Sequence, residues 1–253
     1  MKWWLKKDWK GMKAVAPRAR GRMEAGPFVP CVPFTWVQWI NPCENQNGPS
    51  CAGHGIANEA EAMIRRFVNQ AAFKTFEQID GDAIHAEARR MFYGGDMDGG
   101  LYIPEAFAAA LKMGIYPPGT MLCTVSRREA LASPQFEKTP FIDGHDVSGW
   151  MKHGLKDENG QVFEGSYPDG TGGHCTLHVS RMVQDGQNFW QDENSWGPNF
   201  GWHGCFIMTE SQDDITALED NMYFIERPQG WETWEGWKQH ISGNGFFKTG
   251  GQT

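Results

Sequence analysis

The sequence predicts an α+β fold with two lobes. Helical periodicity dominates the first half of the chain, whereas short runs with β-type composition dominate the second half. Helices that precede strands, rather than alternating with them, indicate an antiparallel sheet flanked by helices instead of a parallel sheet. A length of 253 residues is sufficient for two small lobes around a shared core.

Three helices are predicted in the first half. The first follows Cys51, where apolar residues recur three or four positions apart. Those apolar residues are Ile56, Ala60, Met63, Ile64, Phe67, Val68 and Ala71. A second helix is predicted over 82–92. A third begins at Pro104, a favoured first helical position, and ends before Gly114.

Four strands are predicted in the second half, because short runs of β-type composition there are separated by Gly, Asp and Asn turns. They cover residues 175–183, 189–193, 205–209 and 222–225. Because the turns between them are short, we expect neighbouring strands to pair antiparallel.

The chain divides into a body and two extensions. The predicted parts are an N-terminal extension (1–34), a body (35–228) made of a helical lobe (about 45–125) and a β-rich lobe (about 126–228), and a C-terminal extension (229–253). Both extensions are rich in tryptophan. Trp231, Trp234 and Trp237 recur every three residues, which predicts one face of a short helix. These side chains are expected to cover the body or to contact a protein partner.

Charge is distributed unevenly along the chain. Residues 1–22 hold eight Lys or Arg and one Asp, whereas the whole chain has a formal net charge of −8. The acidic body argues against nucleic-acid binding, and the basic arm is either a solvated tail or a contact for an acidic partner. The sequence contains no run of 18 apolar residues and no apolar N-terminal signal. It therefore predicts no membrane span and a cytoplasmic protein.

The six cysteines favour a reduced protein. If Cys51 is a free thiol, the remaining five cannot all pair with one another. Without a predicted export signal, reduced thiols are the simpler expectation. A bond between Cys31 and Cys43 stays open.

Cys51 is a candidate nucleophile because of its position. It follows the turn-forming residues 47–50 and begins the first predicted helix. The positive end of a helix dipole favours a thiolate, and a nearby imidazolium favours it further. A buried, unreactive thiol is the alternative, and the turn before the helix favours the nucleophile.

His174 and Asn194 are the candidate partners of this thiol. His174 follows two glycines and opens a predicted strand, and Asn194 begins the segment Asn-Ser-Trp-Gly. The side-chain oxygen of Asn194 can accept the imidazole N–H and fix its tautomer, while Trp196 can shield that bond from water. Cysteine, histidine and asparagine in this order suit acyl transfer by a thiol.

Segments 45–54, 172–174 and 194–201 resemble those of the papain-like cysteine peptidases. His174 and Asn194 follow Cys51 by 123 and 143 residues, near the family's spacing of roughly 130–150. The resemblance implies the papain-like fold and a cysteine endopeptidase that works through a thiolate–imidazolium pair and an acyl-enzyme. It also implies that Cys51 attacks the carbonyl, His174 transfers the proton and Asn194 orients His174.

The family further implies an oxyanion-binding glutamine a few residues before the nucleophile. Gln46 is the match, although it precedes Cys51 by five residues instead of six, and Asn45 at the sixth position is the alternative. Gly48 stands where the family has a cysteine, and Ala52 where it has a tryptophan. These departures favour a reduced branch of bacterial or phage type.

Substrate contacts are implied at four positions. Gly99 and Gly100 resemble the wall on which the family lays the substrate backbone, since glycine permits close main-chain approach. An ordinary loop is the alternative there. Gly173 and Trp196, beside the catalytic pair, complete the set. His54, one turn into the first helix, is an alternative base, although a packing role suits it better.

No metal or cofactor is expected. His174, Cys175 and His178, with Cys205 or His203, could supply ligands, but successive residues of a strand point to opposite faces. The expected partner is a peptide or protein substrate. Two other functions stay open: an amidase or transpeptidase acting on peptidoglycan peptides with the same triad, and a non-catalytic papain-like protein used for binding or assembly.

Overall fold

The computed structural model describes residues 35–68, 78–147 and 172–234, together with short strands outside these ranges. The α-helices are α1 (Cys51–Met63), α2 (Gly81–Tyr93), α3 (Ile103–Lys112), α4 (Arg127–Ala130) and α5 (Glu210–Thr216). A π-helical turn at Ile64–Val68 continues α1. Turns of 3-10 helix cover Val37–Trp39, Pro134–Glu137 and Trp231–Thr233.

The strands form one large antiparallel sheet and one small ribbon. They are β1 (Arg18–Ala19), β2 (Val29–Pro30), β3 (Gln78–Ile79), β4 (Met121–Ser126), β5 (Phe141–Asp146), β6 (Leu155–Lys156), β7 (Val162–Glu164), β8 (Gly173–Gln184), β9 (Gln187–Glu193), β10 (Cys205–Thr209), β11 (Asn221–Glu226) and β12 (Phe247–Lys248). The large sheet has the order β1-β7-β6-β10-β9-β8-β5-β11-β4, with β2 added to β8, and β3 pairs with β12. The predicted α+β class is therefore confirmed.

Helix α1 lies at the centre of the fold. All of its 13 residues are buried, and it packs against α2, α3 and β8. Two glycines permit these close contacts. A Cβ atom at Gly53 would lie 2.2 Å from the carbonyl oxygen of Gly81, and one at Gly55 would lie 2.7 Å from Sγ of Cys175. The helix therefore joins the helical lobe directly to the sheet.

Most elements predicted from the sequence are confirmed to within two residues, including the second and third helices and all four strands. Two six-residue strands of the large sheet were not predicted. β4 and β5 belong to the sheet, and β5 pairs with β8 over six residues, from Phe141↔His178 to Asp146↔Gly173. This pairing brings β5 beside His174.

The predicted tryptophan helix is wrong in its extent. Within the described residues 229–234, only Trp231–Thr233 is helical, because Trp234 adopts an extended conformation with ψ of 122°. Trp231 is buried and packs edge-on against Phe67 with ring centroids 5.7 Å apart, so it covers the body as expected. The other predictions for the extensions concern Trp3, Trp4, Trp9, Trp237 and Cys31, which lie outside the described residues.

None of the helices in the described part of the chain combines the length and the apolar character that a membrane crossing requires.

Candidate active site

Cys51 and His174 line the same cleft, between the start of α1 and the start of β8. Cys51 is the first residue of α1, and His174 is the second residue of β8. The backbone N–H of Cys175 hydrogen-bonds the Cys51 thiol, which places the first residues of the strand against the helix terminus. The structure thus brings together two residues that are far apart in sequence.

Asn194 holds the imidazole of His174. Nε2 of His174 lies 2.6 Å from Oδ1 of Asn194, and the backbone N–H of Ser195 donates to the same oxygen at 2.7 Å. Because that oxygen accepts from the backbone, the Asn194 amide has a fixed orientation and Nε2 must carry the proton. Nδ1 is then the nitrogen available for proton exchange with a reacting group.

The indole of Trp196 covers this pair. Its ring centroid lies 4.4 Å from that of His174 at an interplanar angle of 37°. Phe200 packs edge-on against the other side of the indole at 5.0 Å. A hydrogen bond shielded from water in this way is stronger than an exposed one, which keeps His174 in one orientation.

Burial sets the resting charge of both catalytic candidates. It raises the pKa of the Cys51 thiol, and the opposing backbone N–H groups of Cys175 and Ala52 only reduce this effect. Burial also lowers the pKa of His174 to about 3, although the hydrogen bond to Asn194 acts in the opposite direction. Burial therefore favours the neutral thiol and neutral imidazole, and the thiolate–imidazolium pair stays a prediction.

Asp82 at the start of α2 holds the loop before Cys51 in place through hydrogen bonds. Its Oδ1 accepts hydrogen bonds from the backbone N–H of Asn47 at 3.2 Å and from Oγ of Ser50 at 2.5 Å. It also lies 3.1 Å from Nε2 of His54. These contacts fix the residues immediately before Cys51. The sequence did not single out Asp82, since an acidic residue early in a helix is a common N-terminal feature.

His54 takes part in these contacts and is not among the described residues lining the cleft with Cys51. Its ring lies against Gly81, where an added Cβ would be 2.6 Å from Cγ of His54. Nδ1 lies 3.2 Å from Oε2 of Glu44, so both ring nitrogens face carboxylates. Burial disfavours the charged ring, but hydrogen bonds to Asp82 and Glu44 raise its pKa. A doubly paired imidazolium suits the expected packing role better than that of a base.

The oxyanion candidates Gln46 and Asn45 both contact the Asn-Ser-Trp-Gly segment. The backbone N–H of Gln46 donates to the Ser195 carbonyl at 2.7 Å, and its Oε1 accepts from Oγ of Ser195 at 2.5 Å. Its Nε2 donates to the Gly48 carbonyl at 2.6 Å, which uses one of two amide protons. Asn45 forms a backbone bridge with Trp196. Neither candidate is among the described residues that line the cleft with Cys51.

The predicted substrate wall is the edge of the cleft rather than its lining. Gly100 is buried and its carbonyl accepts a hydrogen bond from Nη1 of Arg89 at 3.2 Å, while Gly99 is half-buried against the same guanidinium. The next residues line the cleft instead: Leu101, Tyr102 and Ile103. Gly173 precedes His174 at the start of β8 and is half-buried.

The cysteines in the described part of the chain are all free thiols, namely Cys43, Cys51, Cys123, Cys175 and Cys205. Sγ of Cys43 donates to the backbone carbonyl of Asn194 at 2.8 Å. Cys43 is a free thiol, whereas Cys31, its possible partner, lies outside the described residues.

The ligand set considered from the sequence does not converge. His174 is bound by Asn194, and the Cys175 side chain packs on Gly55. His178 lies on the same strand face but belongs to a separate group of buried polar side chains, in which Asp192 is 2.5 Å away. His203 lies in an exposed turn with φ of 51°.

Comparison with solved structures identifies the fold. No protein-family model matches the sequence, and no curated protein matches it either. The bromelain protease from Ananas comosus in complex with the E64 inhibitor superposes with a TM-score of 0.56 at 15% identity, over 77% of this chain and 98% of that one. A Carica candamarcensis cysteine protease in complex with E-64 gives 0.53 at 14% identity, over 78% and 98% of the two chains.

A digestive procathepsin L2 from the larval midgut of Tenebrio molitor gives a TM-score of 0.53 at 16% identity. The match covers 76% of this chain and 66% of that proteinase precursor. At such identities the likeness establishes the fold alone. The protein has the papain-like fold, as the motifs predicted, with a helical lobe and an antiparallel sheet meeting at the cleft.

Proposed function

We propose that the protein is a cysteine endopeptidase in which Cys51 is the nucleophile and His174 the general base and acid. The observation that carries this proposal is the 2.6 Å contact between Nε2 of His174 and Oδ1 of Asn194, formed in the cleft that Cys51 lines. A thiol at a helix N-terminus beside an oriented imidazole suits acyl transfer.

In the proposed reaction the Cys51 thiol gives its proton to Nδ1 of His174 as sulfur attacks the peptide carbonyl. The imidazolium then gives that proton to the leaving amine, and the C–N bond breaks to leave a thioester on Cys51. Water attacks the thioester, His174 takes a proton from it, and the thiol leaves with that proton. Asn194 keeps the ring in position throughout, because it holds Nε2 in both protonation states.

The burial of Cys51 and His174 limits the conditions under which the thiolate–imidazolium pair forms. Each charged form alone is disfavoured by desolvation, so charge separation needs the attraction between a thiolate and an imidazolium in contact. Substrate binding in the cleft would add the backbone N–H of Cys51 and the Gln46 amide as donors to the developing oxyanion. The second amide proton of Gln46 is suited to this role.

The cleft lining favours a peptide with an apolar side chain. Leu101, Ile103 and Leu218 line the cleft beside Cys51, and Tyr223 adds an aromatic side chain. Leu218 is 47% exposed, so its apolar surface is available to a ligand. Burial of an apolar substrate side chain there stabilises the complex by roughly 1.5–3 kcal/mol.

The test combines inhibitor labelling with turnover. A thiol-directed epoxide should label the wild-type protein once, at Cys51, and Cys51→Ala should lose both labelling and casein hydrolysis. Cys175→Ala is the matched control, because Cys175 lines the same cleft, and Cys123→Ala is a control on a partly exposed thiol outside it. If Cys51→Ala were still labelled, at Cys175, the assignment of Cys51 as the nucleophile would be wrong. Release of peptidoglycan peptides without casein hydrolysis would assign a different substrate.

A further inference from the structure

A second group of polar side chains lies inside the β-rich lobe, next to the cleft that Cys51 and His174 line. Two histidines, three aspartates and one arginine meet there between β5, β8, β9, α4 and α5. They are His145, His178, Asp143, Asp192, Asp213 and Arg127, and none is more than 8% exposed. Buried charges at this density are costly unless they are paired or bind a cation.

Four atoms of this group converge on one point. They are Oδ2 of Asp143, Nε2 of His145, Nε2 of His178 and Oδ1 of Asp213, all within 4.8 Å of one another. Nε2 of His178 lies 3.2 Å from the Asp143 oxygen, and Nε2 of His145 lies 3.5 Å from it. Both imidazole nitrogens lie 3.7 Å from Oδ1 of Asp213. Ligands about 2.0 Å from a tetrahedral zinc ion lie roughly 3.3 Å apart, so the spacing suits a metal.

The opposite atoms of both histidines are held by other side chains. Nδ1 of His178 lies 2.5 Å from Oδ1 of Asp192, and Nδ1 of His145 lies 3.2 Å from Oγ1 of Thr216. An outer carboxylate on a ligating histidine fixes the ring and raises its basicity. The inner nitrogen is thereby directed at the shared point.

The outer oxygens of Asp143 and Asp213 are likewise held by another side chain. Arg127 donates to Oδ2 of Asp213 at 2.7 Å and to Oδ1 of Asp143. One guanidinium therefore fixes the outer oxygen of each aspartate and leaves the inner oxygens facing the histidines. Such a complete outer layer is typical of a metal site.

Asp213 gives a separate indication that this group can bind a cation. Among the residues that the structure describes, its Oδ1 has no hydrogen-bond partner although the side chain is 1% exposed. A buried carboxylate oxygen without a partner is strongly unfavourable. Three carboxylates also meet one guanidinium there, and a divalent cation would offset the negative charge of the ionised carboxylates.

We propose that Asp143, His145, His178 and Asp213 bind a structural divalent transition-metal ion, for which zinc is the best fit. Two imidazoles and two carboxylates in a closed four-ligand site suit tetrahedral zinc. The ion would tie α5 to β5 and β8. Such a site departs from the sequence expectation of no metal. Asp143 also lines the cleft with Cys51 and His174, so the site is tested by metal binding rather than by peptidase activity.

The first test is the metal content of the full chain purified without chelators and then reconstituted with zinc. About one equivalent of a first-row divalent ion per chain is expected. Asp213→Asn should weaken binding at least tenfold. Asp214→Asn is the matched control, because Asp214 is the adjacent, exposed residue of the same helix, and it should bind like the wild type. Zinc should raise the Tm of chelator-treated wild-type and Asp214→Asn proteins, but not that of Asp213→Asn.

X-ray absorption on the wild-type protein keeps the test decisive if Asp213→Asn fails to fold. The proposal requires nitrogen and oxygen ligands at about 2.0 Å and no sulfur at about 2.3 Å. Sulfur in the shell would assign the ion to the thiols and overturn the proposal. Failure to bind any divalent ion after reconstitution would also overturn it, leaving a metal-free hydrogen-bonded network.

Discussion

Oδ1 of Asn194 accepts two hydrogen bonds, one from Nε2 of His174 at 2.6 Å and one from the backbone N–H of Ser195 at 2.7 Å. The backbone contact fixes the amide, and the amide in turn fixes the imidazole. Orientation of the proposed base therefore derives from the turn after β9 rather than from the strand that carries His174.

Asn194→Ala should lower kcat/KM roughly 10²-fold with little change in KM, because the imidazole loses its orientation. Asn194→Asp retains the accepting oxygen and should recover part of the loss. Steady-state kinetics on a fluorogenic peptide measures both. Asn199→Ala, an exposed residue of the same turn, is the control. Equal activity of Asn194→Ala and wild type would remove Asn194 from the catalytic machinery.

His54→Gln should destabilise the protein in a pH-dependent manner. In the folded chain the pKa of His54 is raised above 6.5, despite burial, by Asp82 and Glu44, so its contribution is full below about 6.5 and is lost at higher pH. The pKa of Asp82 is lowered below 3.8, against the effect of burial, mainly by the hydrogen bond from His54, so its contribution is lost as the solution becomes acidic. The His54–Asp82 pair therefore stabilises the folded protein most between about pH 4 and pH 6.5.

Urea unfolding at about pH 5 and about pH 9 measures this difference. The loss of unfolding free energy in His54→Gln should be larger at the lower pH. The control His203→Gln, at an exposed histidine, should change the unfolding free energy equally at both pH values. A loss that is independent of pH would mean that His54 is uncharged in the folded protein.

Arg227→Met should cost about 3–5 kcal/mol of unfolding free energy, because it leaves Glu59 buried without its cation. The guanidinium meets the carboxylate at 2.8 and 2.7 Å, and the two side chains are 2% and 0% exposed. Chemical denaturation measures the loss. Arg90→Met, at an exposed partner of Glu87, should have no measurable effect. Equal effects of the two substitutions would argue against a structural role for the buried pair.

Gly55→Ala should destabilise the protein by roughly 1–3 kcal/mol, despite alanine's better helix propensity, because the new methyl group meets Sγ of Cys175 at 2.7 Å. Activity should also fall, since the Cys175 N–H contacts the Cys51 thiol. Removing the sulfur in Gly55→Ala/Cys175→Ala should restore stability. A double variant no more stable than Gly55→Ala would place the strain elsewhere. Thermal unfolding of the four proteins in this cycle measures the coupling.

Much of the fold was predictable because its main elements obey local rules. α2 and α3 have strong periodicity and a clear start or stop signal, and β8–β10 are runs of β-type composition between turns. β5 was not predictable, because its Asp143-Gly144 pair has the composition of a turn. Its polar residues are instead tolerated in a buried strand through the surrounding histidines and Arg127.

The proposed site was also only partly predictable from the sequence. The Asn-Ser-Trp-Gly segment is contiguous, so its relation to His174 could be predicted from the resemblance. Asp82 could not, because it meets Asn47, Ser50 and His54 only after α2 packs on α1. Asp213 likewise reaches β5 and β8 only through the tertiary fold. Contacts between distant segments depend on packing that a single sequence does not reveal.

The Asp82 contacts have a practical consequence for handling the protein. The loop before Cys51 is held by hydrogen bonds to the Asp82 carboxylate, and Cys51 itself is a free thiol. Thiol reductants protect a reactive cysteine from oxidation, and they do not break hydrogen bonds. Millimolar reductant should therefore preserve the nucleophile without loosening its loop, so that assay buffers can be chosen for the thiol alone.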